Sequence, residues 1–153
     1  MPDSLGASTV NAAIIAARAA GEIDKALSYI APESFDQGQP MTREDWRQKW
    51  ASMWTGAPDL QVTVEATIEN GDWVANRYTV RGTHTGDFLG LPPTGRRFET
   101  TGMDMIRVHD GQLLEHWMVA EPFDTGAPGG GEESSVEWAG FDSEAAPHTR
   151  WAR

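Results

Sequence analysis

The sequence predicts an α+β domain: about three N-terminal helices covering one face of an antiparallel sheet. Three observations carry this reading. Helical spacing of apolar residues is confined to the N-terminal part of the chain. Strict alternation fills the segments from Leu60 to Pro122. The turn signals Asn70-Gly71 and Asp110-Gly111 join alternating segments as hairpins.

The elements follow in order. Ser8 or Thr9 is placed to cap a first helix, VNAAIIAARAA, which Gly21 closes. Ile14, Ile15 and Arg18 give it a narrow apolar face. A short second helix, EIDKALSYI, stops before Pro32. Proline and glycine mark APESFDQGQPM as a loop. Thr42 and Asp45 form the capping box of a third helix, REDWRQKWASMW, and set Trp46, Trp50 and Trp54 on one face. The strand LQVTVEATI puts Val62, Val64, Ala66 and Ile68 on one side. In WVANRYTVRGTHTG, the residues Val74, Tyr78, Val80 and His84 share a side. LGLPPTGRR is a turn-rich connection, and FETTGMDMIRVH and LLEHWMVAEP are two further strands.

Composition excludes several classes of function. A net charge of −11 and a pI near 4.6 oppose binding to nucleic acid or to an anionic membrane surface. No apolar run approaches the ~20 residues that span a bilayer. The N-terminus lacks a basic segment followed by an apolar one, so no signal peptide is expected. There is no cysteine, which removes disulfides, thiolate ligands and a thiol nucleophile and suits a cytoplasmic protein. Seven tryptophans suggest a roomy, aromatic-lined interior. No metal-ligand spacing, nucleophile elbow, phosphate loop or dinucleotide fingerprint occurs, so neither metal nor other cofactor is expected.

From Asp124 the chain becomes rich in glycine, proline and acid. The expected division is a domain over 1–123 and an acidic C-terminal extension over 124–153. Trp138, Phe141 and Trp151 are costly to leave in water. The extension is therefore expected to lie on the domain or on a partner subunit.

VRGTHTGDFLGLPPTGRRFETTGMDMIRVHDGQLLEHWMVAE resembles the SnoaL-like polyketide cyclase family, within the nuclear transport factor 2-like (NTF2-like) superfamily. AAGEIDKALSYIAPESF and GAPDLQVTVEATIENGDWVANRYTV fit the same family, and the resemblance runs from about residue 9 to residue 123. It implies an NTF2-like cone enclosing a deep apolar pocket. It also implies cofactor-free aldol-type ring closure of a polyketide, with a pocket carboxylate as acid/base. Two residues depart from the family pattern. Glu121 stands where Asp is usual in Glu-x-Trp-x-x-x-Asp, and Gln37 stands where the loop often carries His.

A two-residue turn at Asp110-Gly111 would place Asp104 opposite Trp117 and Thr100 near Glu121. Asp104, Trp117, Val119 and Glu121 would then share one face, which the resemblance assigns to the pocket. Met103, Met105, Leu114, His116 and Met118 would share the outer face, which would be buried in a homodimer. On this reading Glu121 is the general base, with Asp104 and His84 as partners in proton transfer and oxygen stabilisation. Trp117, Trp50, Trp54, Tyr78 and Phe88 would hold a small apolar or aromatic substrate, with Asp36 and Gln37 near the mouth. The alternatives are epoxide opening or ether-ring formation, a pericyclic cyclase, and a non-catalytic binding module.

Overall fold

The computed structural model describes residues 5–87 and 92–121, with the backbone alone of 123–124 and 135–136. Three helices come early: α1 (Ala7–Ala19), α2 (Ile23–Ser28) and α3 (Arg43–Gly56). Six strands form the main sheet: β1 (Ile30–Asp36), β2 (Gln39–Met41), β3 (Gln61–Asn70), β4 (Trp73–Thr83), β5 (Arg97–His109) and β6 (Gln112–Ala120). Two short strands, β7 (Phe123–Asp124) and β8 (Ser135–Val136), pair with each other. The expected α+β architecture, helices over a curved sheet, is what forms.

The sheet order is β2-β1-β6-β5-β4-β3, and β1 runs parallel to β6. The sheet is therefore mixed rather than wholly antiparallel. The segment expected as a loop, APESFDQGQPM, is instead the β1–β2 hairpin. Its turn is made by Gln37 and Gly38, both with positive φ (53° and 78°). Pro and Gly marked a turn correctly, but the strands beside it were short enough to be read with it.

Helix signals fare unevenly. Thr42 and Asp45 make the full capping box of α3. In α1 the N-cap is Gly6, with Ser8 and Thr9 already inside the first turn. The Ser8 N–H finds a carboxylate oxygen of Glu69 on β3 at 3.4 Å.

The main core lies between helices and sheet. Val10, Ile14 and Ala17 from α1 and Trp46 and Trp50 from α3 meet Ile30, Val74, Ile106 and Val108. Trp46 and Trp50 pack at 6.0 Å between ring centroids, and the Trp46 N–H donates to Ser34 Oγ at 2.9 Å. Such an aromatic pair adds ~0.5–1.5 kcal/mol beyond the area it buries. Along β4 and at the residue just past its end the expected parity holds: Val74, Tyr78, Val80 and His84 are all buried.

Two register shifts decide which side chains face inward. In β3 the pairing to β4 skips Glu65, so Val62 and Val64 face the helix side while Ala66 and Ile68 turn to the outer face. The expectation of one face for all four is thereby corrected. In β6 the pairing to β5 skips Leu114: Val108 pairs with Leu113, but Arg107 pairs with Glu115. A bulge of this kind reverses the side on which every later residue points.

Gly102 and Tyr78 are directly paired across β5 and β4, and the phenol ring lies over the glycine. A Cβ there would sit 2.5 Å from Tyr78 Cε2. Gly102→Ala must therefore displace the ring, and overpacking of this kind costs ~1–3 kcal/mol. Urea unfolding of that variant is expected to show a loss of this size; unchanged stability would mean that Tyr78 has room to move.

Candidate active site

Helices and sheet enclose a cavity with about 140 Å³ of water-accessible space. Ile14, Trp46, Trp50, Met53, Tyr78, Val80 and Met118 supply apolar wall, and Arg18, Lys49, Asp104 and His116 supply its basic and acidic groups. Strand pairing sets the polar part. His116 on β6 is the direct partner of Asp36 on β1. Asp104 on β5 pairs with Met118, two residues along from His116, and so lies diagonally beside the imidazole on the same side. Asn76 on β4 is the direct partner of Asp104, and Thr67 on β3 the direct partner of Asn76.

The contacts follow from that register. His116 Nδ1 is 2.8 Å from Asp36 Oδ1, and His116 Nε2 is 3.4 Å from Asp104 Oδ2. Lys49 of α3 pairs with the other oxygen of Asp36. Asn76 Nδ2 donates to Asp104 Oδ1 at 2.8 Å, and Asn76 exchanges two amide hydrogen bonds with Asn11 of α1, both 3.0 Å. Thr67 Oγ1 donates to Asn76 Oδ1 at 2.8 Å. Trp46 meets His116 edge-on at 5.6 Å.

Burial works against the His116 imidazolium, but hydrogen bonds to Asp104 and Asp36 outweigh it and raise its pKa above the ordinary histidine value. Burial likewise works against the Asp36 carboxylate. The hydrogen bond to His116 and the Lys49 ammonium overcome this and hold Asp36 below the usual carboxylate range. Burial and the Asp104 carboxylate push the Tyr78 phenol up, so it stays protonated at neutral pH.

Arg18 enters from α1. Its guanidinium carbon lies 4.5 Å above the Trp50 ring and 5.5 Å from that of Trp54. Desolvated cation–π contacts contribute ~2 kcal/mol, comparable to the ~1–3 kcal/mol that an unpaired buried polar group costs. Burial lowers its pKa to about 10, with Asp104 and Tyr78 acting in the opposite sense. It remains a cation at neutral pH.

The expected site residues divide. Asp104, Trp50 and Tyr78 line the cavity, and Asp36 supports it from below through His116. Trp54 is half-buried, its ring 5.5 Å from the Arg18 guanidinium carbon, and is not among the lining residues. Trp117 and Glu121 do not share a face with Asp104, because the bulge at Leu114 turns them outward. Trp117 is exposed, its indole N–H 3.4 Å from Glu115, and Val119 is 69% exposed. Glu121 is exposed too; its backbone N–H donates to the Thr101 carbonyl, and its carbonyl accepts from Thr100 Oγ1. Gln37 donates to the Met118 carbonyl at 2.9 Å and lies on the outer side with Met103, Met105 and Trp117 rather than at the cavity. His84 is buried beside Thr94 (3.2 Å) and does not reach the lining. Phe88 lies outside the described residues.

Sequence reasoning missed His116, Lys49, Asn11 and Asn76 as site residues, and placed Arg18 only on a helix face. The doubled Leu113-Leu114 breaks the alternation of β6 and is the signal that could have exposed the bulge. Once the register moves by one, His116 and Met118 exchange faces with Trp117 and Val119.

The paired shifts fix a pH dependence. Stability from a raised His116 pKa is complete below the unfolded value near ~6.5 and is lost as pH rises through the folded one. Stability from a depressed Asp36 pKa is complete above its unfolded value near ~3.9 and is lost as pH falls through the folded one. The stability gap between the native chain and Asp36→Asn is expected to be widest between ~4 and ~6.5 and to shrink on both sides. Nuclear magnetic resonance titration of His116 should also give a lower pKa in Asp36→Asn. A pH-independent gap and an unmoved His116 titration would mean that the two groups are not coupled.

Comparison with known proteins places this geometry. The family model for SnoaL-like polyketide cyclase matches residues 8–125. The aklanonic acid methyl ester cyclase DnrD of Streptomyces peucetius is 42% identical over 48 residues, 31% of this chain and 33% of that protein. The match thus spans about a third of that relative's length. The crystal structure of wild-type IdmH from Streptomyces antibioticus, proposed to be a polyketide cyclase, superposes with a TM-score of 0.64 at 35% identity, covering 74% of this chain and 91% of that one. AclR of Streptomyces galilaeus, proposed to be a hydroxylase, superposes with the same TM-score at 27% identity, covering 74% and 87%. With a helix-covered cavity in a six-stranded sheet and a family match across most of its length, this chain belongs to the SnoaL-like polyketide cyclase family.

Proposed function

We propose that this chain closes a ring on a polyketide-type substrate by acid/base chemistry in the cavity, without a bound cofactor. One observation carries the reading: an imidazole held between two carboxylates on the wall of an aromatic, largely apolar cavity. In an aldol closure a base removes a proton from carbon α to a carbonyl. That carbon attacks a second carbonyl carbon, and the new alkoxide oxygen takes up a proton. All atoms stay in one molecule, so the net change is an isomerisation.

In this reading Asp104 removes the α-proton and His116 protonates the alkoxide. The proton on Asp104 then returns to His116 across the 3.4 Å contact. A carboxylate is a weak base. The reaction therefore suits a carbon flanked by two carbonyls, as polyketide chains provide. Asp36 and Lys49 do not touch the reacting atoms; they fix the ring orientation and charge of His116. Proton transfer contributes on the order of 10²–10⁴ in rate. Holding the reacting carbons in contact against Trp46 and Trp50 can contribute up to ~7–11 kcal/mol. Glu121, on the outside of the strand end, has no part in this scheme.

The partner reading follows from the opposite face. Ile68, Met103, Met105, Trp117 and Val119 are all substantially exposed on one side of the sheet. A contiguous apolar surface of this kind is covered in a stable protein, and a second copy through the sheet face is the proposed cover.

Turnover of open-chain polyketide ketones, followed by chromatography and mass spectrometry, tests the chemistry. Asp104→Asn and His116→Gln are expected to lose a hundredfold or more in kcat with the fold intact by circular dichroism, roughly the value of one acid/base group. Glu121→Gln should stay within a few-fold of the native chain. The reverse pattern would move the chemistry to the strand end, and tight binding without product in any form would identify a binding module. Light scattering tests the assembly: the native chain should have the mass of a dimer and Val119→Glu that of a monomer, whereas a monomeric native chain would sink the sheet-face dimer.

A further inference from the structure

Arg18 has no role in the acid/base scheme, yet it is the most unusual group in the cavity. It lines the wall with Tyr78 and Asp104. Among the described residues no carboxylate lies within ion-pair distance of it, and its Nε is buried without a hydrogen-bond partner. Its two aromatic neighbours, Trp50 and Trp54, stabilise the charge but accept no N–H. The opposing ionisable groups that act on it are Asp104 and Tyr78, and Asp104 is already engaged by Asn76 and His116.

A guanidinium is a planar set of donors matched to a pair of oxygens. One held over an indole plane, with donors facing a cavity, is preorganised to receive a flat anion. We propose that Arg18 is a specificity-determining residue that selects a flat substrate carrying an anionic oxygen pair, a carboxylate or the enolate of a 1,3-diketone, seated beside the Trp50 ring. The inference rests on the cavity being the substrate site. It adds that the ligand enters as an anion and that its acidic end points towards α1, away from Asp36 and Lys49.

This orientation has a chemical consequence. Anchoring one end of the substrate at Arg18 leaves the remainder to reach Asp104 and His116 across the cavity. Arg18 offsets the repulsion that Asp104 exerts on the charged end of an anionic ligand. Without Arg18, the cationic groups left on the lining are Lys49 and His116, and both are already engaged by Asp36.

Binding by the full-length protein, read by quenching of tryptophan fluorescence and by calorimetry, tests this without turnover. The probes are anthraquinone-2-carboxylate against its methyl ester, and 2-benzoylcyclohexane-1,3-dione, ionised at neutral pH, against its enol methyl ether. The native chain should prefer at least one anion over its neutral partner by roughly tenfold or more, the value of one charge-assisted contact. A preference confined to the carboxylate or to the diketone would say which anion is the natural one. Arg18→Met should abolish the preference while still binding the neutral ester, and Arg18→Lys should restore part of it. Equal affinity for both anions and their neutral partners in the native chain would overturn the proposal, as would a preference that survives in Arg18→Met. Anion preference without cyclisation would defeat the catalytic reading and leave this one standing; cyclisation without anion preference would do the opposite.

Discussion

The site depends on a row of polar side chains that crosses the sheet on its helix side. Asp36, His116, Asp104, Asn76 and Thr67 come from β1, β6, β5, β4 and β3, and each touches the next. Lys49 from α3 and Asn11 from α1 engage the row from above. Such a network is costly when partly satisfied and rigid when complete. Here nearly every member has a partner on both sides, so the imidazole is held by neighbours on two flanking strands rather than by one strand end.

The row is surrounded by apolar wall, and that contrast generates its electrostatics. Burial alone would discharge His116 and Asp36. Their mutual hydrogen bond reverses both tendencies, raising one pKa and lowering the other. Arg18 stands apart from the row, held by aromatic faces instead of oxygens. The cavity therefore has two polar poles, an acid/base pole on the sheet and a cationic pole on α1, with tryptophan between them. Such polarity orients a ligand as well as binding it.

The two bulges give the sheet its two characters. Before Glu65, β3 turns its valines inward; after it, Ile68 faces out. After Leu114, β6 turns His116 and Met118 inward and Trp117 and Val119 outward. One extra residue per strand thus builds both the functional wall and the apolar outer surface. The family relationship accounts for the architecture.

Much of the fold was legible because its signals are local. The capping box of α3, the tryptophan spacing along it, the parity of β4 and the Asp110-Gly111 turn each depend on a few neighbouring residues, and each is found as read. Asp104, Trp50 and Tyr78 line the cavity because they lie on β5, α3 and β4, whose inward faces the bulge in β6 does not change. Glu121 and Trp117 were misplaced by a single register step, and the β1–β2 hairpin was taken for a loop. Both errors concern pairing between strands, which no short stretch encodes: Asp36 and His116 are 80 residues apart in sequence and meet only because β1 docks parallel to β6. By itself the sequence determined the family, the three helices and the four long strands in their order, and the chemical groups available. Only the tertiary structure decided which of those groups share a wall, because a one-residue shift in a pleated strand exchanges its two faces.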